Sequence, residues 1–157
     1  MLIPRVAVPF TIFTLAGSAA YAQPCAPVES QMMVADDGDV GDGYGWSVDI
    51  DANTAVVSSI YEDAIGSDSG SVYVLEYNGS NWDQVQKLVP IGIGSADRVG
   101  NCVAIDNDTI VIGASGDDDA GSGAGAAYVY TKVNGTWTQT TKLVPRCSSL
   151  VTTAPPP

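Results

Sequence analysis

Asp49, Asp51 and Asn53, in the stretch "DIDANTAVV", stand at i, i+2 and i+4. A calcium loop of the D-x-D-x-[DN]-G type begins with this spacing. Thr54 stands where such a loop needs its glycine, however, and Ile60 stands where it needs the bidentate glutamate. Asp and Asn also bond their own backbone in tight turns, so the stretch reads as a β-hairpin. Denser groups of carboxylates lie elsewhere. Asp36, Asp37, Asp39 and Asp42 form one run, Glu62, Asp63 and Asp68 a second, and Asp117, Asp118 and Asp119 a third, with Asp97 between them. Oxygen donors of this kind suit calcium or a basic partner. Candidate metal ligands are therefore Asp36, Asp37, Asp39, Asp117, Asp118 and Asp119; Glu62, Asp63, Asp68 and Asp97 belong to a wider ligand face. No cofactor is required by the sequence, and Ca²⁺ is the cation these residues would take. The alternative for every one of them is a solvated loop.

The chain contains no histidine, which removes Ser-His-Asp and Cys-His catalysis and any histidine metal site. No phosphate-binding G-x-x-x-x-G-K-[ST] occurs, and the glycines from Gly121 to Gly125 lead into a strand pattern, not a helix. Paired carboxylates could serve a hydrolase, but none has an apolar setting that would single it out. A non-catalytic protein is expected.

The elements that must position these residues follow from a repeat. "YGWSVDIDANTAVVSSIYED" begins at Tyr44 and "VGNCVAIDNDTIVIGASGDD" at Val99, an offset of 55. The offset joins Gly45 to Gly100, Asp51 to Asp106, Thr54 to Thr109, Tyr73 to Tyr128, Trp82 to Trp137, and Lys87-Leu88-Val89-Pro90 to Lys142-Leu143-Val144-Pro145. Gln31 to Ala35 matches the end of the unit and reads as one further strand. Each unit divides into four short runs: Trp46 to Asp51, Thr54 to Ser59, Ser71 to Tyr77 and Trp82 to Val89. Alternation, β-branched residues and Asn78-Gly79 and Asn134-Gly135 turns mark strands and hairpins. No stretch has capped helical periodicity. The fold class is all-β: two four-stranded antiparallel propeller blades plus one extra outer strand, an incomplete β-propeller. The recurring Tyr73, Tyr128, Trp82 and Trp137 are expected to pack the blades. The sequons at Asn78, Asn107 and Asn134 all fall in turns, which explains them without glycosylation.

The unit resembles the FG-GAP repeat, the blade of integrin-α-type propellers, in a short bacterial form. Tyr44-Gly45 and Val99-Gly100 stand at the FG position, and Ser58-Ser59-Ile60 and Gly113-Ala114-Ser115 at the GAP position. "GSVYVLEYNGSNW" and "GAAYVYTKVNGTW" match the third and fourth strands. The resemblance covers about Gln31 to Pro145. It implies an extracellular module that binds a protein or another surface ligand and in some members takes calcium. In a meander the links between strands two and three, and between four and the next one, share one end. Those links carry eleven of the eighteen acidic side chains.

Met1 to Ala22 has the form of a secretory signal: Arg5, an apolar run from Val6 to Ala19, and Ala20-Tyr21-Ala22 before Gln23. Residues 23–43 form an N-terminal segment, 44–98 and 99–145 the two repeats, and 146–157 a Ser/Thr/Pro-rich tail. The mature chain would carry five basic and eighteen acidic side chains, a net charge of −13, which disfavours nucleic acid and anionic membranes. A secreted or surface location is expected, with no transmembrane segment. Cys102 reads as a small core residue, and Cys25 with Cys147 is the favoured pair if any disulfide forms. Closed propellers use about four to eight blades. Three readings follow: a piece of a longer propeller, a ring completed by self-association, or a standalone pair of sheets. The functional alternatives are a calcium-stabilised structural segment of a larger propeller and a cryptic hydrolase.

Overall fold

The computed structural model describes residues 31–145. They form eight strands: β1 (Tyr44–Asp51), β2 (Thr54–Ser59), β3 (Ser71–Tyr77), β4 (Trp82–Leu88), β5 (Val99–Asp106), β6 (Thr109–Ala114), β7 (Ala126–Val133) and β8 (Thr136–Leu143). These build two antiparallel meanders, β1-β2-β3-β4 and β5-β6-β7-β8, with no helix among the described residues. Each meander is one blade. The hairpin at "DIDANTAVV" is present: Asp51 pairs with Thr54 across the two-residue turn Ala52-Asn53, with Ala52 at φ 49°. Asp106 and Thr109 close the corresponding turn of the second blade.

Alternation decides which side chains meet between the blades. Val56, Val72, Val74 and Leu88 point from blade 1 toward blade 2, and Val103, Ile105, Ile110, Ile112, Tyr128 and Tyr130 point back; all are buried in one cluster. Apolar area removed from water at about 25 cal/mol per Å² is the main force holding the blades together. Tyr73 and Trp137 are buried as well, in keeping with a packing role for the recurring aromatics.

Polar rungs cross the same junction. From β1, Ser47 Oγ accepts the Val103 N–H at 3.1 Å, Asp49 Oδ2 the Ile105 N–H at 2.8 Å, and Asp51 Oδ2 the Asn107 N–H at 2.7 Å. The i, i+2 carboxylates that resemble a calcium loop are thus inter-blade hydrogen-bond acceptors. The Ile105 and Ile50 N–H groups hold the Asp49 carboxyl below its ordinary pKa.

Two expectations need adjusting. Gln31 to Ala35 lies where an outer strand would run but forms no ladder. It sits in the place of a preceding blade's fourth strand, and among the described residues there is no third strand beside it to pair with. Its hold on blade 1 comes from a side chain: Gln31 Nε2 donates to the Trp82 carbonyl at 2.7 Å, and its Oε1 accepts the Trp82 N–H at 2.8 Å. Cys102 is exposed, not in the core. It occupies the Ser47 position of blade 2 and points away from blade 1, into solvent. Cys25 and Cys147 lie outside the described residues, as do the segment read as a signal peptide and the 146–157 tail.

Candidate functional site

The acidic links do meet at one end of the blades. Tyr61 N–H bonds the Asp42 carbonyl at 3.1 Å, which joins the linker before β1 to the β2–β3 loop. Gly116 N–H bonds the Asp97 carbonyl at 3.0 Å and does the same in blade 2. In blade 1 this arrangement opens a cleft of about 610 Å³ lined by Asp37, Asp39, Asp42, Glu62, Asp63 and Asp68, with Tyr61 in its wall. Backbone N–H groups take up part of the charge: Asp42 Oδ2 accepts from Asp39 at 2.6 Å and Asp63 Oδ1 from Asp68 at 2.8 Å.

Two lysines stand among these acids, which the sequence reading did not anticipate. Lys87, at the end of β4, reaches Asp37 Oδ2 at 2.6 Å and Glu62 Oε1 at 2.8 Å and lies over the Tyr73 ring. Lys142, at the end of β8, reaches Asp117 Oδ2 at 2.7 Å and Asp119 Oδ2 at 2.5 Å and lies over the Tyr128 ring. Tyr73 and Tyr128 donate their hydroxyls to Asp37 and Asp117. The repeated Lys-Leu-Val-Pro was the available signal, since its offset of 55 pairs each lysine with an equivalent acid, Glu62 or Asp117.

The two clusters differ in completeness. Asp117 is 1 % exposed and fully engaged: Oδ2 serves Lys142 and Tyr128, and Oδ1 accepts the Asp119 N–H at 3.3 Å. Burial pushes its carboxyl up, but the bonds from Lys142 and Tyr128 outweigh burial and hold it below the ordinary aspartate range. Burial and the Asp117 bond raise Tyr128 to about 12. In blade 1 the Lys87 bond is the largest influence on Asp37 and lowers it. Glu62 is also buried, yet its Oε2 has no hydrogen-bond partner among the described residues.

The six candidate metal ligands are not brought together. Asp36, Asp37 and Asp39 lie in the linker before β1, whereas Asp117, Asp118 and Asp119 lie in the β6–β7 loop of the other blade. Asp118 is exposed without joining a cluster, and Asp97 is buried with Oδ2 accepting the Gly94 N–H at 2.7 Å. Among the described residues no three carboxylates are set to grip one ion. The donor set as it stands does not fit calcium, whose sites need six to eight oxygens. A lysine ammonium holds the central position instead.

These features define a class: an all-β repeat protein built from four-stranded blades whose loops gather at one end. The chain belongs to the FG-GAP repeat family, whose model matches residues 27–75 and 82–130, more than half of the sequence. The two matches stand 55 residues apart, and each runs from an outer segment through the first three strands of the following blade. Among curated proteins nothing matches the chain.

Proposed function

We propose that this chain is an exported, non-catalytic binding module and that its binding face is the acidic cleft of blade 1. The observation that carries the reading is the contrast between the blades. Six carboxylates line the blade 1 cleft, and a single lysine, Lys87, pairs with two of them, Asp37 and Glu62. In blade 2 the loop is closed over a satisfied Lys142–Asp117–Tyr128 cluster, and Gly92, Gly94 and Gly123 replace Asp37, Asp39 and Asp68. A crowded negative cleft concentrates positive charge and speeds the approach of a basic partner. Its size suits an extended cationic segment better than a single ion, because its carboxylates line walls without converging on a point. The absence of histidine and the membership of a repeat family support a non-enzymatic role. The N-terminal Arg5, apolar run and A-x-A site support export, and no helix among the described residues is long and apolar enough to cross a membrane. Calcium enters this reading as a weak competitor for the cleft.

Calorimetric titration with an oligo-lysine peptide tests it. Asp39→Asn, Asp63→Asn and Asp68→Asn together are expected to weaken binding at least about tenfold, the equivalent of 1.4 kcal/mol. Asp118→Asn with Asp119→Asn is expected to change it less than about twofold, as for rim charges outside a site. Equal losses from the two sets would mean that net charge alone attracts the peptide, and the cleft assignment would fail.

A further inference from the structure

The junction between the blades is a template for a second junction that this chain can make with a copy of itself. On blade 1, Val48 and Ile50 are 62 % and 58 % exposed, while their blade 2 equivalents Val103 and Ile105 are 6 % and 8 % exposed because blade 1 covers them. At the other end, Val111 and Leu143 on blade 2 are 38 % and 53 % exposed, while Val56 and Leu88 on blade 1 are buried by blade 2. One end of the pair therefore presents the surface that its other end covers internally.

The shapes correspond. Inside the molecule, Val99-Gly100 seats on blade 1: Val99 bridges Gly70, its N–H bonds the Ser69 carbonyl at 2.9 Å, and Gly100 lies against Ser58, Ser71 and Val72. The same place on blade 2 is an open groove of about 490 Å³ whose lining includes Gly113, Ser115, Ala126 and Ala127. Each of these is smaller than its blade 1 equivalent, Ser58, Ile60, Ser71 or Val72. The residue at the head of the incoming strip is larger: Tyr44 stands where blade 2 has Val99. The Tyr44 ring packs edge-on against Tyr73 of its own blade, with 5.5 Å between centroids, and its hydroxyl is buried without a hydrogen-bond partner among the described residues. The free apolar surface of the strip includes Val48 and Ile50, and a Cβ on Gly45 would meet nothing within 4 Å.

The polar rungs are fewer but compatible. Cys102, Ala104 and Asp106 stand where Ser47, Asp49 and Asp51 serve the internal junction. Ala104 leaves no debt, because Ile50 N–H already bonds Asp49 Oδ1 at 2.9 Å. Asp106 remains to accept from Ala52, and Cys102 offers only a weak sulfur acceptor to Val48.

One element stands in the way. Gln86, on β4, clamps Trp137 by the same two bonds with which Gln31 clamps Trp82, Nε2 to the carbonyl at 2.7 Å and Oε1 from the N–H at 2.9 Å. Gln139 likewise accepts the Ile91 N–H at 2.7 Å, as Gln84 accepts that of Asp36 at 3.3 Å. The Gln31–Asp37 segment thus fills, beside blade 1, the slot that β4 fills beside blade 2. An incoming copy's β8 needs that slot.

We propose that a second copy of this chain docks its Tyr44–Ile50 strip into the open groove of blade 2 in the register of the internal junction, and that the Gln31–Asp37 segment restrains this association by holding the slot beside Trp82. The contact is heterologous, so it propagates head to tail and closes into a ring or remains a filament according to the rotation per copy. A charged, pre-filled outer slot is a form of protection against open-ended sheet association.

Sedimentation equilibrium of the full chain tests the proposal. Gln31→Ala with Asp37→Ala removes the clamp on Trp82 and the contacts to Tyr73 and Lys87. The double variant is expected to self-associate at least about tenfold more tightly than the parent chain, with alkylation of Cys102 slowed on association. Adding Ile50→Asp, at an exposed position, is expected to abolish the gain. Gln31→Ala alone, which leaves the Lys87 cluster intact, gives a smaller gain in the same direction. Unchanged or weaker association in both clamp variants overturns the proposal, and so does a gain that survives Ile50→Asp.

Discussion

Lys142→Met is expected to destabilise the fold by about 3–5 kcal/mol, the cost of leaving a buried carboxylate without its counter-ion. Asp117 is 1 % exposed, and among the described residues Lys142 is its only cationic partner. Methionine keeps much of the stem packed on Tyr128, so the loss reports the charge rather than the volume. Lys87→Met is expected to cost less, about 1–3 kcal/mol, because Asp37 is half exposed and regains water, and Glu62, buried and also deprived of its counter-ion, borders the open cleft. Urea unfolding of the two variants measures the difference, and equal midpoints would contradict the distinction between a closed and an open cluster. The pH dependence separates them further. In the parent chain Asp117 titrates below its ordinary value. Its contribution is therefore present above the ordinary aspartate pKa and is lost as pH falls through the lowered native one. Without Lys142, burial dominates and lifts the carboxyl above its ordinary value. The sign then reverses: the protonated native form is favoured, and stability declines as pH rises from about 4.

Gly100→Ala is expected to cost at least about 3 kcal/mol, and Gly45→Ala only about 1–2. Both glycines stand at the FG position with nearly the same conformation, φ 89° and 88°, so the backbone strain of an added Cβ is common to the two. They differ in what that Cβ meets. At Gly100 it would lie 2.5 Å from Ser58 Cβ and 3.2 Å from the Ser71 carbonyl oxygen, whereas at Gly45 nothing lies within 4 Å. The difference between the two variants isolates the close approach of the blades. Thermal melting of the pair reads it, and equal losses would mean that this approach does not limit stability.

The eight strands were legible because period-two alternation and Asn-Gly turns recur at one offset, and repetition turns weak local signals into a consistent pattern. The meeting of the acidic links at one end was legible too, since a meander alternates its connections. The lysines were not. Lys87 and Lys142 lie 25 and 23 residues from the acids they reach, Glu62 and Asp119. Only the sheet, which returns β4 and β8 to the acidic end, puts them there. Asp49 and Asp51 read as a turn in the sequence because the blade 2 residues whose N–H groups donate to them are 56 positions away. Cys102 reads as core in the sequence because alternation defines two faces and does not say which one a neighbour covers. The inequality of the two loops was visible in principle: superposing the repeats sets Asp37, Asp39 and Asp68 against Gly92, Gly94 and Gly123. It acquires meaning only once those positions are known to line one cleft.

The binding role itself is tested most directly by amide chemical-shift mapping of the ¹⁵N-labelled chain during titration with oligo-lysine and, separately, with calcium. The peptide is expected to shift the amides of residues 37–42 and 61–68 together, to leave those of residues 117–119 in place, and to bind more tightly than calcium does. Shifts centred on residues 117–119, or a tight calcium response confined to Asp36, Asp37 and Asp39, would contradict it.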